Sequence, residues 1–185
     1  KKFPESLLEK AGLVLKKTQE NRYYDRFRGR IIFPIFNLTG QVLGFGGRTI
    51  FDESPKYLNS PDTPIYTKGQ WLYGLNFNKE AIRQAREIIL VEGYTDFLAL
   101  YQAGFKNVVA SLGTSLTPAQ TSLAHRFAPQ LTVCYDGDAA GRKAALRAVS
   151  LGLAQGLRVA VILLPEETDP DTYLQRYGQK QFRQL

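Results

Sequence analysis

Six acidic residues in the second half of the chain have the types and spacing of a metal-binding active site. They form three short motifs after apolar runs: Glu92 and Asp96, Asp136 and Asp138, and Asp169 and Asp171. Crowded carboxylates repel one another, and protonation or a bound cation relieves that repulsion. Oxygen ligands, in a chain with one cysteine and one histidine, favour Mg²⁺ or Mn²⁺ over zinc. Two such ions can activate a 3′-hydroxyl and stabilise a leaving pyrophosphate.

A structural role is the simpler explanation for any one of these acids, because Asp is a favoured N-cap of helices. Three motifs that converge on one edge of a sheet reverse that preference. Two glycines within the motifs, Gly93 and Gly137, are expected to leave room for a metal-bound phosphate to approach the backbone.

Strands and helices alternate four times around the acidic motifs. Apolar runs predict strands at 88–91, 107–111, 131–135 and 158–164, and the intervening segments predict helices at 95–102, 118–127, 139–155 and 171–177. Thr117 suits the N-cap of the second of these helices, and Pro118 suits its first position. This alternation predicts an α/β fold with a parallel sheet flanked by helices. The carboxyl ends of all four strands, and with them the acids, then share one edge.

The first half of the chain predicts a smaller mixed α+β unit. A short helix is expected at 5–11, two strands at 30–36 and 41–48, and a helix at 78–86 leading into the sheet. Pro34 indicates an edge or bulged strand. We place the boundary between the domains after residue 80, giving a basic domain over 1–80 and a catalytic domain over 81–185.

The net charge of +7 lies entirely in the first 86 residues, which hold 15 Lys and Arg against 8 Asp and Glu. A basic lobe suits a polyanionic partner, although a lysine-rich surface explains the charge equally well. One cysteine excludes an internal disulfide, and no apolar run is long enough to span a membrane. We therefore expect a cytoplasmic protein without a membrane partner. The lack of methionine suggests a piece of a longer protein.

The acidic motifs resemble the signature of the Toprim domain. They read Glu-Gly-Tyr-x-Asp at 92–96, Asp-Gly-Asp-x-Ala-Gly at 136–141 and Asp-Pro-Asp at 169–171. The first half is similar to the basic subdomain of bacterial replicative primases of the DnaG type, at 25–35, 44–48, 55–61 and 68–74. The resemblance covers nearly the whole chain.

This resemblance implies Mg²⁺-dependent synthesis of RNA primers from ribonucleoside triphosphates on single-stranded DNA. Glu92, Asp136 and Asp138 would hold the metals, with Asp169 and Asp171 assisting and Asp96 supporting the first motif. The implied nucleotide-binding residues are Lys56, Asn59, Lys68 and Tyr94. The implied template-binding residues are Arg26, Arg28, Arg30, Arg48 and Tyr57.

The same resemblance implies parts that this chain does not contain. The family's zinc module needs several Cys and His ligands, so we expect no zinc here. The domain that contacts the replicative helicase and a helical subdomain after residue 185 are also expected to be missing. We therefore expect the isolated chain to bind metal and nucleotide but to prime weakly.

Two other functions fit some of the same residues. Another Toprim enzyme, a topoisomerase or a nuclease, would share the acids. A topoisomerase would need a tyrosine nucleophile on a further domain, and the primase-like first half argues against both. A nucleic-acid-binding module without catalysis is the second alternative, but such a module has no use for six acids unless metal is bound.

Overall fold

The computed structural model describes residues 3–17, 22–113 and 115–185, which form an α/β fold. By their internal contacts the residues fall into two compact units, Lys1–Lys68 and Gly69–Leu185. The second unit thus includes residues 69–80 together with the proposed catalytic domain. Tyr73 joins it through an antiparallel bridge to Ala110.

The first unit is built from small antiparallel sheets. Helix α1 (Glu5–Lys10) precedes a hairpin of β1 (Val14–Lys17) and β2 (Arg22–Asp25). A three-stranded sheet follows in the order β3-β4-β5, formed by Arg30–Phe36, Val42–Thr49 and Tyr57–Asn59. Strand β3 lies at the edge and its register shifts between Ile35 and Phe36, which confirms the prediction made from Pro34.

The second unit contains the predicted parallel sheet. Its strands pair in the order β7-β6-β8-β9, all in parallel: β6 Glu87–Val91, β7 Val108–Ala110, β8 Gln130–Val133 and β9 Arg158–Val161. In the part of this unit that the structure describes, five helices accompany them: α2 Leu75–Ala85, α3 Tyr94–Gln102, α4 Pro118–His125, α5 Ala139–Ala154 and α6 Pro170–Phe182. The inner strand β6 forms the centre of the core, with Ile88, Leu90 and Val91 at 0% exposure.

The helix starts follow from capping residues in the sequence. Thr117 caps α4 through its hydroxyl, which accepts the Gln120 N–H at 3.1 Å, and the Gln120 amide oxygen accepts the Thr117 N–H at 3.1 Å. This reciprocal pair is a capping box, with Pro118 at the first helical position as predicted. Among the described residues no helix has the length and apolar character to cross a membrane.

Several elements differ from the sequence predictions. Strand β9 ends at Val161 instead of 164, because it is an edge strand with one pairing partner and mostly exposed side chains. Helix α6 begins at Pro170 and continues to Phe182, past a break at Gly178 with φ of 76°. The hairpin of β1 and β2 and the short strand β5 were not predicted, because their side chains alternate too weakly in polarity.

Candidate active site

The parallel sheet brings all three acidic motifs to one edge. Glu92 follows β6, Asp136 and Asp138 follow β8, and Asp169 and Asp171 lie at the start of α6, after β9. Asp96 lies in the first turn of α3 and is buried, with 6% of its surface exposed. The predicted convergence is therefore present in the fold.

The electrostatic coupling of these acids shows how close they lie. Burial raises the pKa of Glu92, and the charges of Asp136 and Asp138 raise it further. Burial also raises the pKa of Asp136, with added repulsion from Asp169 and Asp138. Asp96 is perturbed most: burial, with repulsion from Asp136 and Asp169, raises its pKa to about 7.

Some of the acids also have structural roles, in agreement with the alternative explanation that they cap helices. Asp138 caps α5, accepting the Gly141 N–H at 2.7 Å, and Asp169 caps α6, accepting the Thr172 N–H at 2.6 Å. Asp96 accepts the Gly93 N–H at 3.1 Å, and Asp171 accepts a hydrogen bond from the Gln175 amide at 2.8 Å. In the two N-caps, these bonds fix where the helices start relative to the strands.

Glu92 and Asp136 differ from the other acids because each has a buried oxygen without a partner. Within the described residues, Glu92 Oε1 and Asp136 Oδ1 accept no hydrogen bond. A buried carboxylate oxygen without a donor is costly, so the pair fits a bound cation. The described side chains nevertheless contain no group of three His, Cys, Asp or Glu already arranged as a metal site. The carboxylate oxygens are therefore chemically suitable ligands for Mg²⁺, but they are not already arranged as a complete coordination shell within the described residues.

Gly137 has a packing role that the sequence does not indicate. A Cβ at this position would lie 2.0 Å from the Pro165 carbonyl oxygen and 2.9 Å from that of Leu164. The Gly137 N–H also donates to the Thr168 carbonyl at 2.9 Å. The missing side chain lets the loop after β8 pack against the segment after β9. This packing by itself requires glycine here, and the approach of a metal-bound phosphate to this backbone stays a prediction.

An open cavity of about 440 Å³ lies beside the acids. Its lining includes Glu92, Asp136 and Asp138, together with Ser111, Lys143 and Arg147. Lys143 and Arg147 are exposed and lie four residues apart on α5, so they share one helix face. Neither residue is among the site residues predicted from the sequence. Their i, i+4 spacing in the helix that Asp138 caps is the sequence signal from which this face could have been found.

The residues expected to bind the template lie in the first unit. The Arg26 guanidinium donates to the Asn59 carbonyl at 3.2 Å, and burial lowers its pKa. Arg30 donates to three main-chain carbonyls, at 2.9 to 3.3 Å. Arg28 stacks on Tyr24 at 4.9 Å and Arg48 on Tyr57 at 5.7 Å. Arg26 and Arg30 thus hold the backbone of this unit, and template contact by all four arginines stays a prediction.

The residues expected to bind nucleotide are divided between the two units. Lys56 and Lys68 are exposed, and Asn59 lies on β5. Tyr94 is 2% exposed and its ring packs edge-on against Tyr73 at 4.8 Å. That is the environment of a core residue, and a direct nucleotide contact by Tyr94 stays a prediction.

Similar proteins identify the family to which this arrangement belongs. Residues 1–79 match the family described as DNA primase catalytic core, N-terminal domain, and residues 89–174 match the Toprim-like family. The DNA primase of Halalkalibacterium halodurans is 46% identical over 94% of this chain and 29% of its own length. The chain belongs to the bacterial DnaG-type primases.

Solved primase structures support this membership. The Aquifex aeolicus primase, in a structure of its zinc-binding and RNA polymerase domains, superposes with a TM-score of 0.91 at 42% identity. That match covers 97% of this chain and 45% of the other. A DnaG primase catalytic domain bound to ssDNA gives a TM-score of 0.89 at 41% identity, over 97% of this chain and 57% of the other.

The chain spans 29% to 31% of the length of the first curated relatives that it matches. It corresponds to part of the primase catalytic core. The match of residues 1–79 favours a primase over the topoisomerase, nuclease and non-catalytic alternatives, which would share only the Toprim part.

Proposed function

We propose that this chain is the part of a primase that joins ribonucleotides on single-stranded DNA, with Mg²⁺ or Mn²⁺ held at the acidic edge. The observation that most supports this proposal is the pair Glu92 and Asp136. Their half-buried carboxylates line one cavity, and each has one oxygen that accepts no hydrogen bond within the described residues. Membership of the primase family supplies the reaction class, in which a 3′-hydroxyl attacks the α-phosphate of a nucleoside triphosphate and pyrophosphate leaves.

The metal would be held by Glu92, Asp136 and Asp138, with Asp169 and Asp171 assisting. A bound divalent ion supplies Lewis-acid activation of the hydroxyl and neutralises charge on the phosphates. The chain contributes the positions of the ligands. Asp138 and Asp169 each use one oxygen for a helix cap, which fixes the carboxylate while its other oxygen stays available.

Lys143 and Arg147 are proposed to bind the phosphates of the incoming nucleotide or the leaving pyrophosphate. Both line the cavity that contains the acids, and the structure records no ion pair for either within its described part. Lys and Arg are the side chains best suited to phosphate oxygens. Lys56, Asn59, Lys68 and Tyr94 complete the proposed nucleotide-binding set.

Template binding is proposed for Arg26, Arg28, Arg30, Arg48 and Tyr57, which lie in the first unit. A relative solved with ssDNA supports a single-stranded partner. Family membership also supports two further parts of the proposal. These are contact with the replicative helicase, through a domain outside this sequence, and a cytoplasmic location. The division into a basic domain over 1–80 and a catalytic domain over 81–185 belongs to the same proposal.

The test is Mn²⁺ binding, followed by electron paramagnetic resonance, on wild type and on Asp136→Asn. Asn keeps the size of the side chain while it removes the charge, so the fold is retained. We expect saturable Mn²⁺ binding by wild type and a Kd at least ten times higher for the variant, because the half-buried charge of Asp136 is lost as a metal ligand. Glu53→Gln is the matched control, because Glu53 is an exposed acid in the first unit.

Catalysis is then tested by extension of an RNA primer annealed to a DNA template, in Mg²⁺, with the same three proteins. Extension by wild type and by Glu53→Gln, but not by Asp136→Asn, is the expected result. Equal Mn²⁺ affinity in all three proteins would remove the acidic edge as the metal site. Cleavage of the template instead of extension would favour the nuclease alternative.

A further inference from the structure

A second charged site lies at the opposite edge of the parallel sheet. A pocket of about 390 Å³, which we call the basic edge pocket, is lined by Arg83, Arg86, His125, Arg126 and Phe127, with Ala128 and Pro129. Arg86 directly precedes β6 and Pro129 directly precedes β8. The pocket is therefore at the amino ends of the strands, whereas the acids are at their carboxyl ends. Neither the metal site nor the proposed catalysis uses it.

The basic edge pocket has an excess of positive charge, because only one of its three arginines is paired with a carboxylate in the described part of the chain. Its lining contains three arginines and no carboxylate. Glu80 pairs with Arg83 at 2.8 Å, whereas Arg86 and Arg126 make no ion pair in the part of the chain that the structure describes. Glu87 begins β6, but its carboxylate is held by the Gln130 amide at 2.9 Å and by the Thr132 hydroxyl. Guanidinium groups gathered in this way favour an oxyanion.

The side chain of one arginine in the pocket is held in place before any ligand binds, and a second arginine has an unusual backbone conformation. Arg83 lies between Glu80 and the Phe127 ring, whose centroid is 5.2 Å from the guanidinium carbon. Arg86 ends α2 in a left-handed backbone conformation, with φ of 56°. Such a conformation is unfavourable for a residue with a side chain, and persists where the surrounding structure enforces it. Fixed cations lose less conformational entropy on binding.

The positive charge continues beyond the pocket along the same edge. Arg158 is the exposed first residue of β9, and its N–H donates to the Pro129 carbonyl at 3.0 Å. The strands β6, β8 and β9 are neighbours, spaced about 4.8 Å apart. Arg86 precedes β6, Arg126 lies in the connection that leads to β8, and Arg158 begins β9, so cations follow this edge in the order of the strands. A row of cations matches a chain of phosphates better than it matches one small anion.

We propose that the basic edge pocket, extended by Arg158, binds the phosphate backbone of a single-stranded nucleic acid. Recognition is through phosphate oxygens and is independent of base sequence. It requires no divalent metal, so it differs in that respect from binding at the acidic edge. A free nucleoside polyphosphate has the same chemistry and is distinguished by experiment.

The test is binding of a fluorescent oligo-dT strand in EDTA, followed by anisotropy as a function of salt. EDTA keeps the acidic edge free of metal, so failure of the metal site cannot change the result. The variant is Arg86→Gly with Arg126→Ala. Glycine suits the left-handed backbone at position 86, so the fold is retained, and circular dichroism checks it. The control is Arg176→Ala with Lys180→Ala, which removes two exposed charges from α6.

We expect about tenfold weaker binding in the pocket variant, and a slope of log K against log salt that is shallower by about 1.4, or about 0.7 for each lost phosphate contact. The control is expected to keep the wild-type slope. Equal losses in both variants, or no loss in either, would overturn the proposal.

Two competitors identify the source of the anion. Inorganic pyrophosphate is expected to displace the strand only weakly. If pyrophosphate binds wild type tightly, fails to bind the pocket variant, and the variant keeps its DNA affinity, the site belongs to a free polyphosphate and the strand proposal is wrong. Poly-glutamate that displaces the strand from wild type at equal charge concentration would reassign the pocket to an acidic protein segment.

Discussion

Stability in the absence of metal is predicted to fall as pH rises, chiefly because of Asp96. This residue is 6% exposed, and burial together with repulsion from Asp136 and Asp169 raises the pKa of its carboxyl from 3.8 to about 7. The folded state therefore keeps the proton that the unfolded state releases above pH 3.8. The resulting loss in the free energy of unfolding begins near pH 4, grows through the interval between the two pKa values and is complete above pH 7.

The size of the effect follows from the shift of roughly three pKa units. Each unit corresponds to about 1.4 kcal/mol, so the metal-free protein loses on the order of 4 kcal/mol between pH 4 and pH 8 from this group. Asp96→Asn removes the titration while its side-chain oxygen still accepts the Gly93 N–H. The variant is expected to gain about 1.4 kcal/mol per pH unit over wild type up to pH 7. At pH 8 the gain in Tm is expected to be about 10 °C.

The assay is thermal unfolding in EDTA from pH 4 to pH 8, followed by circular dichroism. Asp52→Asn is the control, because Asp52 is exposed on a turn of the first unit. A Tm difference between Asp96→Asn and wild type that stays constant across this pH range would refute the reasoning. Addition of Mg²⁺ at pH 8 is expected to raise the wild-type Tm, because ligands that bind only the folded state stabilise it.

Three further substitutions or modifications test the surroundings of the site. Gly137→Ala places a Cβ 2.0 Å from the Pro165 carbonyl oxygen; we expect a loss of stability of about 2 kcal/mol in urea unfolding and weaker Mn²⁺ binding. Gln120→Leu leaves the buried Trp71 and Ser111 carbonyls without the amide donor that reaches them at 2.8 and 3.2 Å; we expect about 3 kcal/mol lower stability in the same assay. Cys134 is fully buried and burial raises its pKa; we expect Ellman's reagent to react with it only on unfolding, so rapid reaction in native buffer would contradict its placement.

The architecture of the second unit could be predicted because its sequence signals are local and agree with one another. The run 88–91 is apolar throughout, and the fold places it in the inner strand β6, with Ile88 at 0% exposure. Thr117 and Pro118 start α4 as expected. By contrast, β1 contains Lys16 and Lys17 and has only four residues, so its pairing with β2 is not visible in the polarity of the side chains.

The acidic edge could be predicted because parallel strands place their carboxyl ends together, whatever their order in the sheet. The finer chemistry of this edge could not be predicted, because that chemistry depends on contacts between segments that are distant in the sequence. Only the fold shows that Gly137 is required by the Pro165 carbonyl, or that Arg30 is held by main-chain oxygens. The arginines of the basic edge pocket come from α2 and from the residues that directly follow α2 and α4, and no linear motif joins them.

Capping and metal binding are not exclusive explanations for an acid at the end of a strand. Asp138 uses Oδ1 for the Gly141 N–H at 2.7 Å, and its second oxygen can serve a cation. Asp138→Asn is expected to keep the cap and the Tm, since Asn is as good an N-cap as Asp, but to lose at least tenfold in Mn²⁺ affinity. Asp138→Ala is expected to lose both, with a Tm lower by about 2.5 °C from about 1 kcal/mol of lost capping. Wild-type Mn²⁺ affinity in Asp138→Asn would mean that this acid only starts the helix, and that Glu92 and Asp136 hold the metal without it.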